Sequence, residues 1–305
     1  MDQKFTGVIP PVITPLTAEG EFDVDSFSRV VERLIAAGVD GLFLLGSSGE
    51  VAFSTDARRR RILEAGVEIV GGRVPVLAGV IETQTERVVE QALTAQEVGV
   101  DALVATAPFY ALGGPEVVDR HFRVLRKRVD LPLFAYDIPV CVNTKLDPGM
   151  LLRLGQDGVI DGVKDSSGDD VGFRQLIRAN EAAGRPLSVL TGHEVVVDGA
   201  YLSGAHGAVP GLANVAPEPY VRQWRAAQSG DWEAVRAEQD QLADLMNIVA
   251  VTSGVSGYAA GVGAFKTALS LMGVITTNQM TEPVSPLGAE NSEAIAGVLR
   301  SQGLL

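Results

Sequence analysis

The chain has 305 residues, 46% of them hydrophobic and 21% charged, with a formal net charge of -13 and one cysteine, Cys141. This acidic balance excludes the basic face that nucleic-acid binding needs, and a lone cysteine excludes an internal disulfide or a multi-cysteine metal site. No apolar run is long enough to span a bilayer.

The first stretch, MDQKFTGVIPPVITP, has no basic segment leading into an apolar one, so a cytoplasmic protein is expected. Within it, GVIPPVITP (7–15) is the first strand candidate. VDSFSRVVERLIAAG (24–38) reads as a helix stopped by glycine, and AAGVDGLFLLG (36–46) carries the second strand into the loop GSSGE. The helix DARRRRILEAGVEIVGG (56–72) leads to the strand RVPVLAGV (73–80), and the helix QTERVVEQALTAQEVG (84–99) to EVGVDALVATAP (97–108). DLPLFAYDIP (130–139), GQDGVIDGVKDSSG (155–168), RPLSVLTG (185–192) and LSGAHGAVPG (202–211) complete eight strand candidates.

These are continuous apolar runs rather than alternations, as expected of parallel strands covered on both faces. Strand and helix repeated eight times predicts a (β/α)8 TIM barrel. A doubly wound open sheet is the alternative, disfavoured because no G-x-G-x-x-G follows the first strand. After residue 213, the stretches at 218–252 and 261–273 read as helices. The expected organisation is a barrel over 1–225 with a C-terminal helical segment, 226–305, packed on it.

A barrel of this kind places its site at the C-terminal ends of the strands. Here those ends read GSSGE, TAPFY, YDIP, KDSSG and TGHE: hydroxyls, a phenol and an amine, with no histidine pair or carboxylate pair. His121, His193 and His206 show no ligand spacing, so no metal and no cofactor are expected. Only five lysines stand against twenty arginines, yet Lys164 ends an apolar strand. Alternation puts Ile160, Gly162 and Lys164 on one face, so an inward Lys164 has room for its stem above Gly162. Desolvation lowers a lysine pKa, and catalytic lysines are tuned from about 10.4 to roughly 7–8. A neutral amine attacks ketones to form Schiff bases. The plainer reading packs the stem and pairs the head with solvent or Asp165. Tyr136 ends the neighbouring strand at matching depth and can shuttle protons; it also reads as a core tyrosine with a wet hydroxyl. GSSGE can present amides and hydroxyls to a small carboxylate, or be simply a loop.

Taken together, GSSGE, APFY, YDIP and GVKDSSGD resemble the motifs of the pyruvate-dependent class I aldolase superfamily, typified by dihydrodipicolinate synthase and N-acetylneuraminate lyase. The resemblance runs from about Thr6 to the end. It implies that Lys164 forms a Schiff base with pyruvate or a 2-oxo acid, and that Tyr136 is the general acid/base. It also implies that Ser47 links Tyr136 to Tyr110 of a neighbouring subunit in a homotetramer, a dimer of dimers. Ser48 and the amides beside it, Gly49 included, would hold the substrate carboxylate, and the Val209 carbonyl would orient the amine.

The departures bear on substrate. Where dihydrodipicolinate synthases carry a carboxylate-binding arginine, this chain has Cys141, which cannot supply a bidentate contact. FSTDARR replaces the histidines of the lysine-feedback segment, and Glu194 is followed by Val195 where sialic acid lyases carry an acidic pair. Asp137 replaces the usual asparagine. The expected function is a lyase that cleaves, or condenses pyruvate to form, a 2-oxo-3-deoxy (sugar) acid, with Glu194, Ser166 and Asn143 as candidate contacts to its distal part. Dehydration through the same imine, dihydrodipicolinate synthesis, and a 2-oxo acid-binding barrel without turnover are the alternatives.

Overall fold

The computed structural model describes residues 5–255 and 257–305. Eight parallel strands form one sheet: β1 (Gly7–Val8), β2 (Leu42–Leu44), β3 (Val76–Gly79), β4 (Ala102–Thr106), β5 (Leu133–Asp137), β6 (Gly162–Asp165), β7 (Ser188–Thr191) and β8 (Gly207–Ala208). Their order is β1-β8-β7-β6-β5-β4-β3-β2. The ring closes where Pro11 bridges Phe43, with the Val12 N–H donating to the Phe43 carbonyl and the Phe43 N–H to the Pro10 carbonyl, both at 2.9 Å. The expected TIM barrel is therefore what the chain forms. β1 is far shorter than the 7–15 run because Pro10 and Pro11 lack the N–H groups a ladder needs.

The barrel helices are α1 (Val24–Ala37), α2 (Asp56–Val70), α3 (Thr85–Val98), α4 (Gly114–Arg126), the short α5 (Pro139–Val142), α6 (Pro148–Gln156), α7 (Asp170–Ala182), α8 (Val197–Leu202) and α9 (Pro217–Ser229). Helices α1, α2 and α3 end at Gly38, Gly71 and Gly99, whose left-handed φ values of 87°, 55° and 93° let the chain turn back into the next strand. α10 (Trp232–Leu245), α11 (Asn247–Ala250), α12 (Tyr258–Leu271) and α13 (Ala289–Ser301) follow. The residue 225/226 boundary lies within α9, which runs on to Ser229. α13 was not visible as a helix in the sequence. Among the described residues no helix is long and apolar enough to cross a membrane.

Inside the barrel, Phe134 and Gly162 are register partners, as are Tyr136 and Lys164 one layer higher. A Cβ at residue 162 would fall 2.2 Å from the Phe134 ring. The space at Gly162 is therefore filled by that ring, which meets Phe5 edge-on at 5.5 Å, and does not serve the Lys164 stem.

Candidate active site

Lys164 faces the lumen at the C-terminal mouth of β6. It is 5% exposed, and its ammonium lies 4.0 Å from the centroid of the Tyr136 ring and 4.9 Å from that of Phe43. Phe43 and Tyr136 themselves meet edge-on at 6.3 Å. The amine thus rests on aromatic faces, a cation–π arrangement that replaces some of the hydration it has lost. Among the described residues Lys164 forms no ion pair.

Its neighbour Asp165 faces outward instead. One Asp165 oxygen accepts the Ser167 N–H at 2.8 Å and the other lies 4.0 Å from the Lys145 ammonium. Asp137 points the same way, fully buried; it pairs with Lys145 and accepts the Leu146 N–H at 3.0 Å. Burial raises its carboxyl above the usual range, and the contacts to Lys145 and Leu146 oppose the shift. Asp137 is therefore a support beneath the β5 turn, on the opposite face from the lumen.

Beyond Lys164, Gly192 is a close-approach position: a Cβ there would lie 2.1 Å from the Ser166 hydroxyl and 3.2 Å from Cε of Lys164. Ser166 is half-buried and donates its N–H to the Asp137 carbonyl at 2.8 Å. Val209 is buried, its N–H donating to the Thr191 carbonyl at 2.7 Å.

The GSSGE loop forms the next wall. Ser47 and Ser48 are half-buried. Gly49 closes a turn onto the Gly46 carbonyl at 3.0 Å, and its own carbonyl accepts the Thr14 hydroxyl at 2.8 Å. The Cys141 thiol stands beside Ser47; partial burial pushes it up, while the charge of Lys164 and the Ser47 side chain act against the rise. A Cβ at Gly211 would come 3.2 Å from the Ser48 hydroxyl and 2.9 Å from a Glu194 carboxylate oxygen, so glycine lets these two side chains approach one another. Glu194 accepts the Leu212 N–H at 2.6 Å. Burial raises its carboxyl, and the Leu212 and Gly211 amides and the Lys164 charge draw it back.

Lys164, Tyr136, Ser47, Ser48, Ser166 and Glu194 thus line or border one mouth. Two expected residues stand elsewhere in this chain. Tyr110 is 95% exposed, in the left-handed region at φ 72°. Asn143 is exposed at the left-handed C-cap of α5, lining a cleft of about 310 Å³ that includes Leu112, Val118 and Met150 but neither Lys164 nor Tyr136. As a short polar residue that tolerates positive φ, it caps a helix there and is not placed against the mouth.

Three residues were missed. Glu50 and Lys266 form a buried ion pair, with Glu50 also accepting the Thr281 N–H at 2.9 Å and Lys266 donating to the Gln279 carbonyl at 2.8 Å. Tyr258 of α12 donates its hydroxyl to the Ser47 carbonyl. The one signal in the sequence is Lys266, a charge inside the apolar stretch GVGAFKTALSL; no local pattern marks the role of Glu50 or Tyr258.

A sequence profile described as the Dihydrodipicolinate synthetase family matches residues 4–302. The chain belongs to that family. Like other Dihydrodipicolinate synthetase family members it is a lyase, and relatives of different name are equally similar to it. It is 32% identical over 308 residues to a 4-hydroxy-tetrahydrodipicolinate synthase of Phenylobacterium zucineum, covering 100% of both chains. It is also 32% identical over 305 residues to a probable 2-dehydro-3-deoxy-D-pentonate aldolase, YjhH, of Escherichia coli, covering 99% of both. Among solved structures it matches YagE of E. coli K12, a family member in complex with pyruvate, with a TM-score of 0.92, 29% identity and 99% of each chain covered.

Proposed function

We propose that the protein is a Schiff-base aldolase acting on pyruvate and a 2-oxo-3-deoxy sugar acid. The observation that carries this reading is the Lys164 amine, buried at the barrel mouth on the Tyr136 ring with no carboxylate paired to it among the described residues. In the cleavage direction Lys164 adds to the C2 ketone. Tyr136 gives its proton to the carbinolamine oxygen, which leaves as water, and a protonated imine remains. The resulting phenolate takes the proton of the C4 hydroxyl; the C3–C4 bond breaks, its electrons forming the enamine, and the aldehyde departs. Tyr136 then protonates C3, and water returns pyruvate and the free amine.

Ser47 passes protons between Tyr136 and the outside in this reading, and Ser48, with the Gly49 amide beside it, holds the substrate carboxylate. The Val209 carbonyl orients the amine. Ser166 and Glu194 face the distal hydroxyls. Tyr110, almost fully exposed on its own chain, supplies the outer phenol to a neighbouring subunit of a homotetramer. No cofactor is required, because the imine itself is the electron sink. The cytoplasm, where pyruvate is made, is the proposed location.

Cys141 supports a sugar acid over aspartate semialdehyde: it stands by Ser47 where a guanidinium is needed to hold a second carboxylate. A probable aldolase of such acids, YjhH of E. coli, is among the relatives, at the same identity as the synthase. The test is pyruvate release from 2-dehydro-3-deoxy-D-pentonate and its six-carbon homologue, against pyruvate consumption with aspartate semialdehyde. Turnover of the sugar acids with an aldehyde co-product is expected. A dehydrated 2-oxo acid as product, or faster turnover of the semialdehyde, would contradict the assignment.

A further inference from the structure

α12 touches the mouth at three points. Tyr258, its first residue, donates its hydroxyl to the Ser47 carbonyl. Lys266 holds Glu50. Phe265 lies where a Cβ at Gly211 would be, at 2.8 Å, beside Ser48 and Glu194. The Tyr258 ring also rests against Phe53, which follows the loop, with centroids 5.2 Å apart. From these contacts the structure assigns Tyr258 as a positioning residue: a phenol from the chain's own C-terminal helix that sets the Ser47 backbone, and through it the direction of the Ser47 hydroxyl.

The Ser47 carbonyl accepts from the Glu50 N–H at 3.1 Å and from Tyr258, so the peptide plane after Ser47 is held from two sides. The Ser47 hydroxyl has a rotatable torsion, so its direction follows from how the backbone beneath it is held. A peptide held by one donor alone can tilt, and a hydroxyl displaced by an ångström loses a proton-transfer geometry that is steep in distance. Burial keeps the Tyr258 phenol protonated, with the nearby Glu50 charge acting the same way, so it remains a donor at every working pH. Ser47 and Glu50 are both held from α12, which makes the C-terminal segment part of the site.

The assignment rests on the imine reading of Lys164, and the experiment separates the two. Deuterium exchange into the pyruvate methyl group reports enamine formation without any acceptor aldehyde. Borohydride trapping at saturating pyruvate reports the imine itself. Tyr258→Phe keeps the ring and removes only the donor. Its exchange rate at saturation is expected to fall about 10- to 100-fold, with KM for pyruvate and the trapped fraction as in the parent protein. Phe53→Leu loosens the same packing but keeps the donor, and is expected to retain most of the exchange rate. An unchanged rate in Tyr258→Phe would overturn the assignment. Equal losses in both variants with lowered melting temperatures would overturn it too, by showing a packing effect. If the parent protein cannot be trapped with pyruvate at all, both the imine and this role are wrong.

Discussion

Glu50 and Lys266, from the second barrel loop and the C-terminal helix α12, pair with essentially no solvent contact on either side chain. The pair ties the GSSGE turn, where Glu50 itself sits at a left-handed φ of 57°, to a helix more than two hundred residues away in sequence. Removing one partner leaves the other charge buried alone, which costs about 3–5 kcal/mol. Glu50→Ala and Lys266→Met should each lose that much in denaturant unfolding. Replacing both by methionine should recover most of it, because two apolar side chains leave no stranded charge.

Gly192 tests how tightly the amine is placed. Alanine there brings a methyl to 2.1 Å from the Ser166 hydroxyl and 3.2 Å from Cε of Lys164. Overpacking of this sort costs about 1–3 kcal/mol. Gly192→Ala is expected to stay folded by circular dichroism while pyruvate trapping at Lys164 drops sharply. Full trapping in that variant would show that the lysine stem has more room than the geometry allows.

Asp137 makes the opposite prediction. Its carboxylate lies behind the sheet, on Lys145 and the Leu146 amide. Asp137→Asn keeps the shape and one acceptor but loses the charge-assisted bond, a loss of about 1–3 kcal/mol. Stability should fall by that amount while the imine at Lys164 forms as before.

Acid sensitivity should trace in part to His121. This imidazole is buried beside Phe122, bonded to the Thr85 hydroxyl at 3.0 Å, and its pKa is lowered to about 4 by desolvation. The unfolded chain, with a value near 6.5, binds the proton first, so stability is complete above about 6.5 and is lost as pH falls toward 4. The full loss is about 3 kcal/mol. Unfolding free energies measured from pH 7 to pH 4.5 should have a shallower slope for His121→Gln than for the parent protein, even if the variant is less stable at pH 7. Parallel slopes would assign the acid limb to other groups.

Much of the fold was legible because it rests on local rules. Glycines in left-handed conformation stop α1, α2 and α3 where the sequence has AAG, VGG and EVG, and apolar runs after them become strands. The pairing of Tyr136 with Lys164 followed from strand-end position and alternation. What could not be read was long-range. The ring that fills the space at Gly162 comes from another strand, Phe134. The partner of Asp137 is Lys145 across a turn, and those of Ser47 and Glu50 are Tyr258 and Lys266, from a helix whose contacts no periodicity reveals. The sequence points Glu194 at substrate alone, yet its carboxylate also accepts the Leu212 amide, a backbone donor that no side-chain pattern announces.

Imine formation between the Lys164 amine and a 2-oxo acid can be read by mass. The protein is incubated with pyruvate, reduced with borohydride, digested, and its peptides weighed. A stable reduced-pyruvate adduct is expected on the peptide carrying Lys164, and none in Lys164→Ala. No adduct in the parent protein, or an adduct of equal yield in the variant, would contradict it.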